Sequence, residues 1–540
     1  MDSAKIPPET SLLRRLVKDL EERRQTIRKL GGEEKIARQH GRGKLTCRER
    51  LDRFFDDGLY FEVGAHGTQM GLASGPNGDD KPPADGVVTV FGRANGRLVC
   101  AAAYDFTIKG GSIGQTGEEK VTRLRSMALT GRHPMVWFID SGGARIDPGT
   151  SHVDAISQFA GTGYLFREQV VMSGVVPQVA AMVGPGAAGT AYIPGLADFV
   201  PMVKGIGSLA LAGPALVKAV TGQDVAEQEL GGSKVHSEVS GVADGEVATD
   251  GECVDLVKRY LSYFPSHCDE LPPIVPCDDP IDRKDDAILD LLPDSNRKPY
   301  DMYKLIKMIV DRAPGGAEGS GEILDIKPRF GRSLITCLAR IGGKSVGIVA
   351  NQPMHMGGIL ENDSADKGAH FIQICDAFNI PLVFLQDVPG FMVGSKVEHA
   401  GIIRHGAKML HVMSAATVPK LTVVVRKGYG AGYYVMCGRA YEPDLIVAWP
   451  SAEISVMGAE GMVGIASRKL FGDQEPTPEV KEGILQQIRD RIDIYKSAGW
   501  AYVDDVIDPR ETRRVLAWGL ELAAHKKALR PGRKHGVIPV

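Results

Sequence analysis

The sequence has few cysteines, and none of them stands in a C-x-x-C pair. The chain contains eight cysteines among 540 residues. Their separations exclude a zinc ribbon and a dithiol redox motif, both of which need closely paired thiols. We interpret the cysteines as buried thiols of a protein that works in a reducing compartment.

An excess of charge of either sign is also missing. The formal net charge is −3 and the isoelectric point is near 6.5. A protein that binds nucleic acid through its phosphates needs a clear basic excess. The charge balance therefore excludes nucleic acid as a partner, and any anion site must be local.

No uninterrupted apolar run is long enough to cross a membrane. The most apolar stretch, residues 170–220, is broken by prolines, glycines, Asp198 and Lys204. This pattern favours a buried α/β core over a membrane span. Residues 1–10 include two acidic residues and no apolar segment, so no secretory signal is predicted. We expect a cytoplasmic protein without a membrane partner.

The common catalytic signatures are absent as well. There is no H-E-x-x-H motif, so no metal site is predicted, and no Walker phosphate loop. Residues 110–114 spell G-x-S-x-G, but the next helical pattern begins only near Glu118 and no Asp–His partners stand out. We interpret His405 as a packed or interface histidine. Without an evident side-chain base, the sequence indicates that a cofactor supplies the base.

Length and composition predict two large α/β domains. The chain exceeds the roughly 250 to 300 residues at which a single core stops growing, and 43% of its residues are hydrophobic. Residues 12–59 combine helical spacing with heavy charge, which predicts an N-terminal helical arm. Residues 270–300 are rich in Pro and Asp and predict a linker. The resulting domains are 1–270 and 295–540.

Both halves of the chain carry the same order of elements. In the first half, one strand runs into the turn Ser141-Gly142-Gly143 and a later strand runs into residues 184–189. In the second half, the corresponding strands run into Pro389-Gly390 and into residues 428–432. Alternation of strands and helices is typical of βαβ structure. The repeated order predicts a duplicated domain.

The small residues after these strands are suited to holding an oxyanion. Amide groups at the start of a helix lack intrahelical partners and lie at the positive end of its dipole. The segments Ala187-Ala188-Gly189 and Gly430-Ala431-Gly432 would let a ligand approach such amides closely. Two such loops predict two carbonyl-derived charges. Close packing of helix on strand is the alternative, and a dinucleotide site is disfavoured because Pro194 would shorten the helix it requires.

Many separate motifs make the sequence resemble the β subunits of propionyl-CoA and methylcrotonyl-CoA carboxylases over almost the whole chain. The motifs lie at residues 41–46, 48–52, 110–112, 140–146, 184–189, 351–353, 362–367, 375–381, 387–391 and 401–408. The resemblance implies an α/β fold with two tandem crotonase-like domains of the ββα-spiral type, preceded by the helical arm.

The same resemblance implies a carboxyltransferase subunit of a biotin-dependent acyl-CoA carboxylase. Carboxybiotin would donate its carboxyl group to the α, or vinylogous γ, carbon of an acyl-CoA, with acyl-CoA on the first domain and biotin on the second. The amides of Ala188 and Gly189 are implied as one oxyanion pair, and those of Ala431 and Gly432 as the other. The implied substrate-binding residues are Gly111, Ser112, Gly142, Gly143, Arg145, Tyr192, Asn351, Gln352, Gly390, Tyr433 and Tyr434.

No Ala-Met-Lys-Met biotinylation motif occurs in the chain. The resemblance therefore implies that biotin is carried on a separate chain or domain, with a biotin carboxylase and biotin carrier α subunit as partner. A homo-oligomer, a hexamer built from dimers, is expected. Three alternatives stay open: a subunit of a biotin-dependent decarboxylase, a crotonase-type hydratase or isomerase, and an inactive scaffold that binds acyl-CoA.

Two positions depart from the family pattern. Ala188-Gly189 stands where members often have Gly-Gly, and Tyr433-Tyr434 stands where propionyl-CoA enzymes commonly have Tyr-Asp. Residues 436–441 and 454–458 are more similar to the methylcrotonyl-CoA branch. The preferred acyl-CoA therefore stays open, and Tyr434 is expected to help set acyl-chain selectivity.

Overall fold

A computed structural model describes residues 11–68, 83–145, 164–313, 315–472 and 476–540. The chain divides into two compact units, Met1–Ser262 and Tyr263–Val540. One mixed β-sheet of eight strands forms the centre of each unit.

The first unit is built on strands that we number β1 to β8 in chain order. They are Tyr60–Val63, Val87–Ala94, Arg97–Tyr104, Met135–Ser141, Gln178–Ala187, Pro201–Val203, Ser208–Ala210 and Gly245–Val247. The sheet order is β1-β2-β3-β4-β5-β6-β8, and β7 pairs with β5. The first three strands are antiparallel and the rest are parallel. Strands buried on both faces are apolar along their length, and every residue of β4 is buried.

The described residues of the first unit also form helices. They are Leu12–Arg28, Glu33–His40, Cys47–Phe54, Gln115–Gly131, Tyr164–Met172, Gly189–Gly195, Pro214–Thr221, Glu227–Gly231, Ser233–Glu238 and Asp250–Leu261. Thr46 and Glu49 form a reciprocal capping box at the start of the third helix, which satisfies two otherwise unpaired amides. Leu51 and Phe54 of that helix are fully buried. The predicted N-terminal arm therefore ends inside the core of the first unit.

The second unit contains strands β9 to β16. They are Ile323–Ile326, Leu334–Ile341, Lys344–Asn351, Leu382–Val388, Lys420–Tyr429, Leu445–Ala448, Glu453–Ser455 and Asp505–Val506. Its helices are Met302–Ile309, Asn362–Ala377, Ser395–His399, Ile402–Ala415, Gly430–Val435, Ala459–Phe471, Pro478–Ile492, Ile494–Gly499 and Thr512–Leu522. The sheet order is β9-β10-β11-β12-β13-β14-β16, with β15 paired to β13.

The two sheets confirm the predicted duplication, because the strand order of one repeats in the other. In each unit two antiparallel strand pairs are followed by parallel strands, and one short strand pairs outside the main path. The register then aligns the loops: Ser141 pairs with Gly186, and Val388 pairs with Gly428. Ala188 is thus equivalent to Gly430. The letters Ala-Gly alone suggest that Ala188 matches Ala431, which is one position further along the chain.

The segment predicted as a linker belongs to the second unit. The N–H of Val275 donates to the carbonyl oxygen of Gly343 at 3.0 Å. Arg283 binds Asp279 at 2.7 Å and Asp285 at 2.7 Å. Residues 270–300 are therefore held in place by backbone hydrogen bonds and by the ion pairs of their aspartates.

No helix among the described residues is long and apolar enough to cross a membrane. The apolar stretch at 170–220 instead contains β5, β6 and β7 together with the helix Gly189–Gly195. Its strand residues, such as Val179 and Met182 at 0% exposure, fill the core of the first unit, whereas Leu211, Leu216 and Val220 near its end are exposed. The interpretation of this stretch as a buried α/β core is confirmed.

Candidate active site

The first glycine turn, Gly142-Gly143, follows β4 and meets the end of β5. Gly143 has a φ of +93°, and a Cβ atom there would lie 2.6 Å from the carbonyl oxygen of Ala187. Only glycine combines this backbone conformation with so close an approach. The turn and the strand end thus form one surface without side chains between them.

The loop that includes Gly111 and Ser112 is fastened to this turn by backbone hydrogen bonds. The N–H of Gly142 donates to the carbonyl oxygen of Gly110 at 2.9 Å, and the N–H of Ile113 donates to that of Gly143 at 2.8 Å. Gly111, Ser112, Gly142 and Gly143, which the sequence predicted as binding residues, are therefore neighbours in the structure.

The junction between β5 and the helix Gly189–Gly195 differs from the predicted oxyanion pair. Ala188 has φ 52° and ψ −120°, and its N–H donates to the carbonyl oxygen of Ala210 at 3.2 Å. This hydrogen bond argues against Ala188 as an oxyanion donor. The N–H groups of Gly189 and Thr190 have no acceptor among the described residues. By register they are the equivalents of Ala431 and Gly432, a correspondence that letters alone did not reveal.

A buried network of charges lies beneath the first turn. Asp140, the residue before Ser141, accepts hydrogen bonds from Lys44 at 2.6 Å, Gln39 at 2.7 Å and Arg50 at 3.2 Å. Arg50 also binds Asp250 at 2.8 Å. Burial lowers the pKa of Lys44, and the charge of Asp140 opposes that effect. The motifs at 41–46 and 48–52 pointed to these residues, but sequence reasoning gave them no role.

The second unit builds the equivalent turn at Pro389-Gly390. The N–H of Leu360 donates to the carbonyl oxygen of Gly390 at 3.0 Å. A Cβ atom on Gly432 would lie 2.6 Å from Cγ2 of Val388 and 3.1 Å from Cα of Gly390. The turn and the loop are therefore in contact here too, and the N–H groups of Ala431 and Gly432 have no acceptor within the described part of the chain.

One buried ion pair supports this second turn. Asp387 is fully buried and binds Arg426 at 2.9 Å. Its other oxygen accepts the N–H of Lys427 at 3.3 Å. An aspartate thus precedes the glycine turn in both units, and in each case a buried arginine neutralises it. Unpaired, such a carboxylate would be costly to bury.

Three predicted binding residues use their polar groups within the protein instead. Arg145 forms an ion pair with Asp85 and donates to the carbonyl oxygen of Ser112 at 2.8 Å. Asn351 is buried and donates to the carbonyl oxygen of Gly358 at 3.1 Å. Gln352 donates to Asp301 at 2.7 Å, at the start of the helix Met302–Ile309. These contacts indicate that the three side chains stabilise the conformation of the loops.

The predicted tyrosines are more accessible. Tyr192 is 51% exposed and lies edge-on to Phe166 at 5.5 Å, whereas Tyr434 is 46% exposed. Tyr433 is less exposed, because its hydroxyl accepts the N–H of Arg439 at 3.0 Å. Tyr434, on the helix Gly430–Val435, therefore has a face free for a ligand and follows directly after the second loop.

Within the part of the chain that the structure describes, neither loop has an acid–base dyad. Ser112 donates to the carbonyl oxygen of Lys109 at 2.9 Å and accepts from Arg145 at 3.1 Å, so it has no histidine partner. The helix after it begins at Gln115 and not near Glu118, which corrects the sequence interpretation. His405 is paired with Asp366 at 2.8 Å, in accord with a packed histidine. The described residues hold no cluster of His, Cys, Asp or Glu able to bind a metal ion.

The geometry therefore offers two pairs of backbone amides without acceptors among the described residues, Gly189 with Thr190 and Ala431 with Gly432. We call each pair an amide cradle; small residues line it, and a buried ion pair lies next to it. An amide aimed at a developing negative charge stabilises it without any proton transfer. Such cradles suit the oxygens of carbonyl-derived and other anionic ligands rather than metal ions. The chemistry they serve must find its base elsewhere.

Comparison with known proteins gives a consistent result. The model of the family described as carboxyl transferase domain matches residues 38–538. Methylmalonyl-CoA decarboxylase subunit alpha of Propionigenium modestum is 39% identical over 98% of this chain and 100% of that protein. The carboxyltransferase subunit of propionyl-CoA carboxylase from Haloferax mediterranei is 39% identical over 97% of this chain and 99% of its own length.

A solved structure shares the fold over the same extent. The crystal structure of transcarboxylase 12S, described as a hexamer with methylmalonyl-coenzyme A and methylmalonic acid bound, matches with a TM-score of 0.90 and 42% identity. The match covers 98% of this chain and 100% of that chain. Both units described above therefore take part in the similarity.

Proposed function

We propose, since this chain belongs to the carboxyl transferase family, that it moves a carboxyl group between a biotin held by another protein and the α-carbon, or vinylogous γ-carbon, of an acyl-CoA. It is the carboxyltransferase subunit of a biotin-dependent acyl-CoA carboxylase, and its two units have the crotonase-like fold. The observation that carries the proposal is the family match over both halves together with the duplicated amide cradles.

The first unit is assigned to the acyl-CoA and the second to biotin. Support for this division comes from a difference between the loop of residues 110–114 in the first unit and the equivalent loop, before the helix Asn362–Ala377, in the second. In the first unit that loop is tied to a buried ion pair, whereas in the second Arg332, bonded to His355 at 3.0 Å, is exposed. A loop that a buried ion pair holds in one conformation is suited to a single small ligand, whereas an exposed polar surface is suited to a protein partner.

The amides of Gly189 and Thr190 would then bind the thioester oxygen as negative charge develops on it. The amides of Ala431 and Gly432 would bind the ureido oxygen of biotin. One preorganised donor is worth roughly 2.7 to 4 kcal/mol of transition-state stabilisation. Biotin would supply the carboxyl group and the nitrogen that takes the α-proton, which accounts for the absence of a side-chain base among the residues described at the two cradles.

The partner and assembly follow from the same proposal. Biotin has to arrive on a separate chain or domain, with a biotin carboxylase and carrier α subunit, because the sequence has no biotinylation motif. The transcarboxylase 12S structure is a hexamer, and we assign the same arrangement, a hexamer built from dimers, to this chain. A cytoplasmic location is proposed because its eight cysteines are free thiols.

A decarboxylase subunit is the second candidate. The relative from Propionigenium modestum is a decarboxylase subunit that aligns with this chain end to end. One site catalyses carboxyl transfer in both directions, so the residues themselves favour neither direction. The partner subunits of the complex determine which direction is used.

The test is a panel of acyl-CoAs offered to the purified chain with its carboxylated carrier. We expect one short acyl-CoA, of the propionyl-CoA type for which several relatives are named, to be carboxylated with the highest kcat/KM. The reverse reaction, from carboxyacyl-CoA to carrier biotin, is measured in parallel. Failure to carboxylate any acyl-CoA would contradict the proposal, as would hydration of an enoyl-CoA without biotin.

A further inference from the structure

Asp85 and Arg145 form a buried ion pair directly under the loop of residues 110–114. The side chain of Asp85 is fully buried and that of Arg145 is 8% exposed. Arg145 also donates through Nη2 to the carbonyl oxygen of Ser112 at 2.8 Å and through Nε to the Ser112 hydroxyl at 3.1 Å. The guanidinium is thereby occupied on all three of its nitrogens and has little capacity left for a ligand.

The same aspartate holds the start of the following helix. Its second oxygen accepts the N–H of Gly117 at 2.8 Å, in the first turn of the helix Gln115–Gly131. A Cβ atom on Gly114 would clash with Nη1 of Arg145 and lie 2.5 Å from Asp85. The backbone of the loop therefore rests on the ion pair without an intervening side chain. Any shift of Asp85 would be transmitted to the loop and to the helix at once.

The duplication shows that this brace is specific to one unit. The pairing of Ile113 with Ala144 in the first unit repeats as the pairing of Leu360 with Phe391 in the second. This register places Met392 at the position of Arg145. By the strand pairing of β2 and β10, Arg332 stands where the first unit has Asp85. A requirement of the fold alone would recur in both units, whereas a requirement of one ligand would not.

We propose that Asp85 is a positioning residue for acyl-CoA, acting through Arg145 on the loop of residues 110–114. This inference rests on the proposed function, in which the first unit holds the acyl-CoA. The ion pair fixes the loop backbone in the shape that binds the thioester end of the substrate. Because the ion pair lies in the unit assigned to acyl-CoA, its loss should affect the binding of acyl-CoA and not that of the carrier.

The experiment compares Asp85→Asn with the unmodified subunit in the complete enzyme. Asparagine keeps the shape and the acceptor for Gly117 but removes the charge that orients Arg145. Misplacement of a binding group by about 1 Å can cost on the order of 100-fold, and we expect the KM for acyl-CoA to rise about tenfold while the KM for the carrier stays within about twofold. Propionyl-CoA binding, measured by calorimetry without the carrier, should weaken by the same factor.

Two further variants keep the test decisive. Asp56→Asn removes an aspartate of the same unit that caps the β2–β3 hairpin at Asn95 and Gly96, and it should leave both KM values unchanged. Arg145→Lys keeps the charge but loses the forked donors, so it should also raise the KM for acyl-CoA. This variant replaces Asp85→Asn should the latter not assemble.

Two results would overturn the positioning role: propionyl-CoA bound as tightly by Asp85→Asn as by the unmodified chain, or equal increases in both KM values. The second would show general loosening of the unit. Absence of carboxyl transfer by the unmodified enzyme would instead contradict the proposed function. The two failures are therefore distinguishable.

Discussion

Gly110 and Gly111 of the first unit allow the effect of backbone strain to be measured separately from the effect of a steric clash. Gly110 and Gly111 have φ values of 64° and 63°, so an alanine at either position would be strained by about 1 to 2 kcal/mol. A Cβ atom on Gly110 would meet only Cε2 of Phe106, at 3.9 Å, whereas one on Gly111 would clash with the carbonyl oxygen of Asp140. The two positions thus have the same backbone conformation, but only Gly111 lacks space for a Cβ atom.

We predict that Gly111→Ala lowers the unfolding temperature more than Gly110→Ala and abolishes most of the carboxyl transfer. The added methyl group has to displace either the end of β4 or the loop that faces it. Thermal unfolding and kcat/KM for acyl-CoA provide the comparison. Equal effects of the two alanines would show that strain alone matters at this loop.

The buried lysine Lys367 makes stability depend on pH. Its ammonium donates to the carbonyl oxygens of Phe330 at 3.0 Å and Leu334 at 2.7 Å. Burial lowers its pKa to about 7, from 10.5. Between those two values the unfolded chain binds more protons than the folded chain, so stability rises with pH.

We predict that the stability advantage of the wild-type chain over Lys367→Met grows from pH 7 to pH 9, by up to about 1.4 kcal/mol per pH unit. Urea unfolding at each pH measures it. Lys469→Met, at an exposed position, serves as the control and should show no such trend. A difference that stays constant over this range would mean that Lys367 is charged in the folded protein.

Tyr434 lies in the unit assigned to biotin, but we expect it to affect acyl-chain selectivity, because the acyl-CoA has to reach the biotin bound there to accept its carboxyl group. Its ring is 46% exposed and lies 5.6 Å from that of Tyr441, one residue before the end of the helix Gly430–Val435. Tyr434→Asp should alter the ratio of kcat/KM between short and branched acyl-CoAs by roughly 1 to 3 kcal/mol. Tyr434→Phe should leave the ratio unchanged. An equal decrease for every substrate would indicate a packing role only.

Single residues were the hardest features to derive from the sequence. Asn351, Gln352 and Arg145 were expected to bind substrate, and the structure has their polar groups bonded within the protein. The motifs marked these positions as special, but a motif does not distinguish a ligand contact from a brace beneath it. That distinction depends on burial and hydrogen-bond partners, which only the folded chain specifies.

At the scale of elements, the strand–turn–helix junctions carry the proposed chemistry. Gly189 is the first residue of its helix, a position where proline is well tolerated because the amide has no intrahelical partner. Gly189→Pro therefore removes the proposed oxyanion donor without breaking an intrahelical hydrogen bond. Loss of one such donor costs about 100- to 1000-fold in kcat.

We predict a loss of that size in kcat for Gly189→Pro, measured with saturating acyl-CoA and carrier. Glu33→Pro places proline at the first position of the helix Glu33–His40, at an exposed site, and should retain full activity. Circular dichroism checks that both variants fold. A folded Gly189→Pro enzyme with unchanged kcat would remove this amide from the mechanism.

The elements themselves were well predicted where periodicity was strong. The helical spacing expected at residues 12–59 is present as the helices Leu12–Arg28, Glu33–His40 and Cys47–Phe54. The equivalence of the two small-residue loops was one position out, because the letters Ala-Gly recur in both while the strand register aligns Gly186 with Gly428. Register is set by pairing across a sheet, and a single sequence does not specify it.

At the scale of the molecule, duplication was visible in the sequence and is confirmed by the repeated sheet order. The boundary lies between residues 262 and 263, because the Pro- and Asp-rich segment forms ion pairs with the second unit. Composition predicted that residues 270–300 form irregular structure, and the structure agrees. One partner of this segment, Arg513, which binds Asp279 at 3.2 Å, lies more than two hundred residues away along the chain and could not be inferred locally.

The central claim is that carboxyl transfer resides in this chain alone, with biotin supplied from outside. The direct measurement follows a labelled carboxyl group from the carboxylated carrier to acyl-CoA in the presence of the purified chain, without ATP or bicarbonate. We expect one equivalent of label to move for each biotin, and no label to enter acyl-CoA from bicarbonate and ATP when the carrier is omitted. Incorporation of bicarbonate by the chain alone, or transfer that requires ATP, would contradict the account.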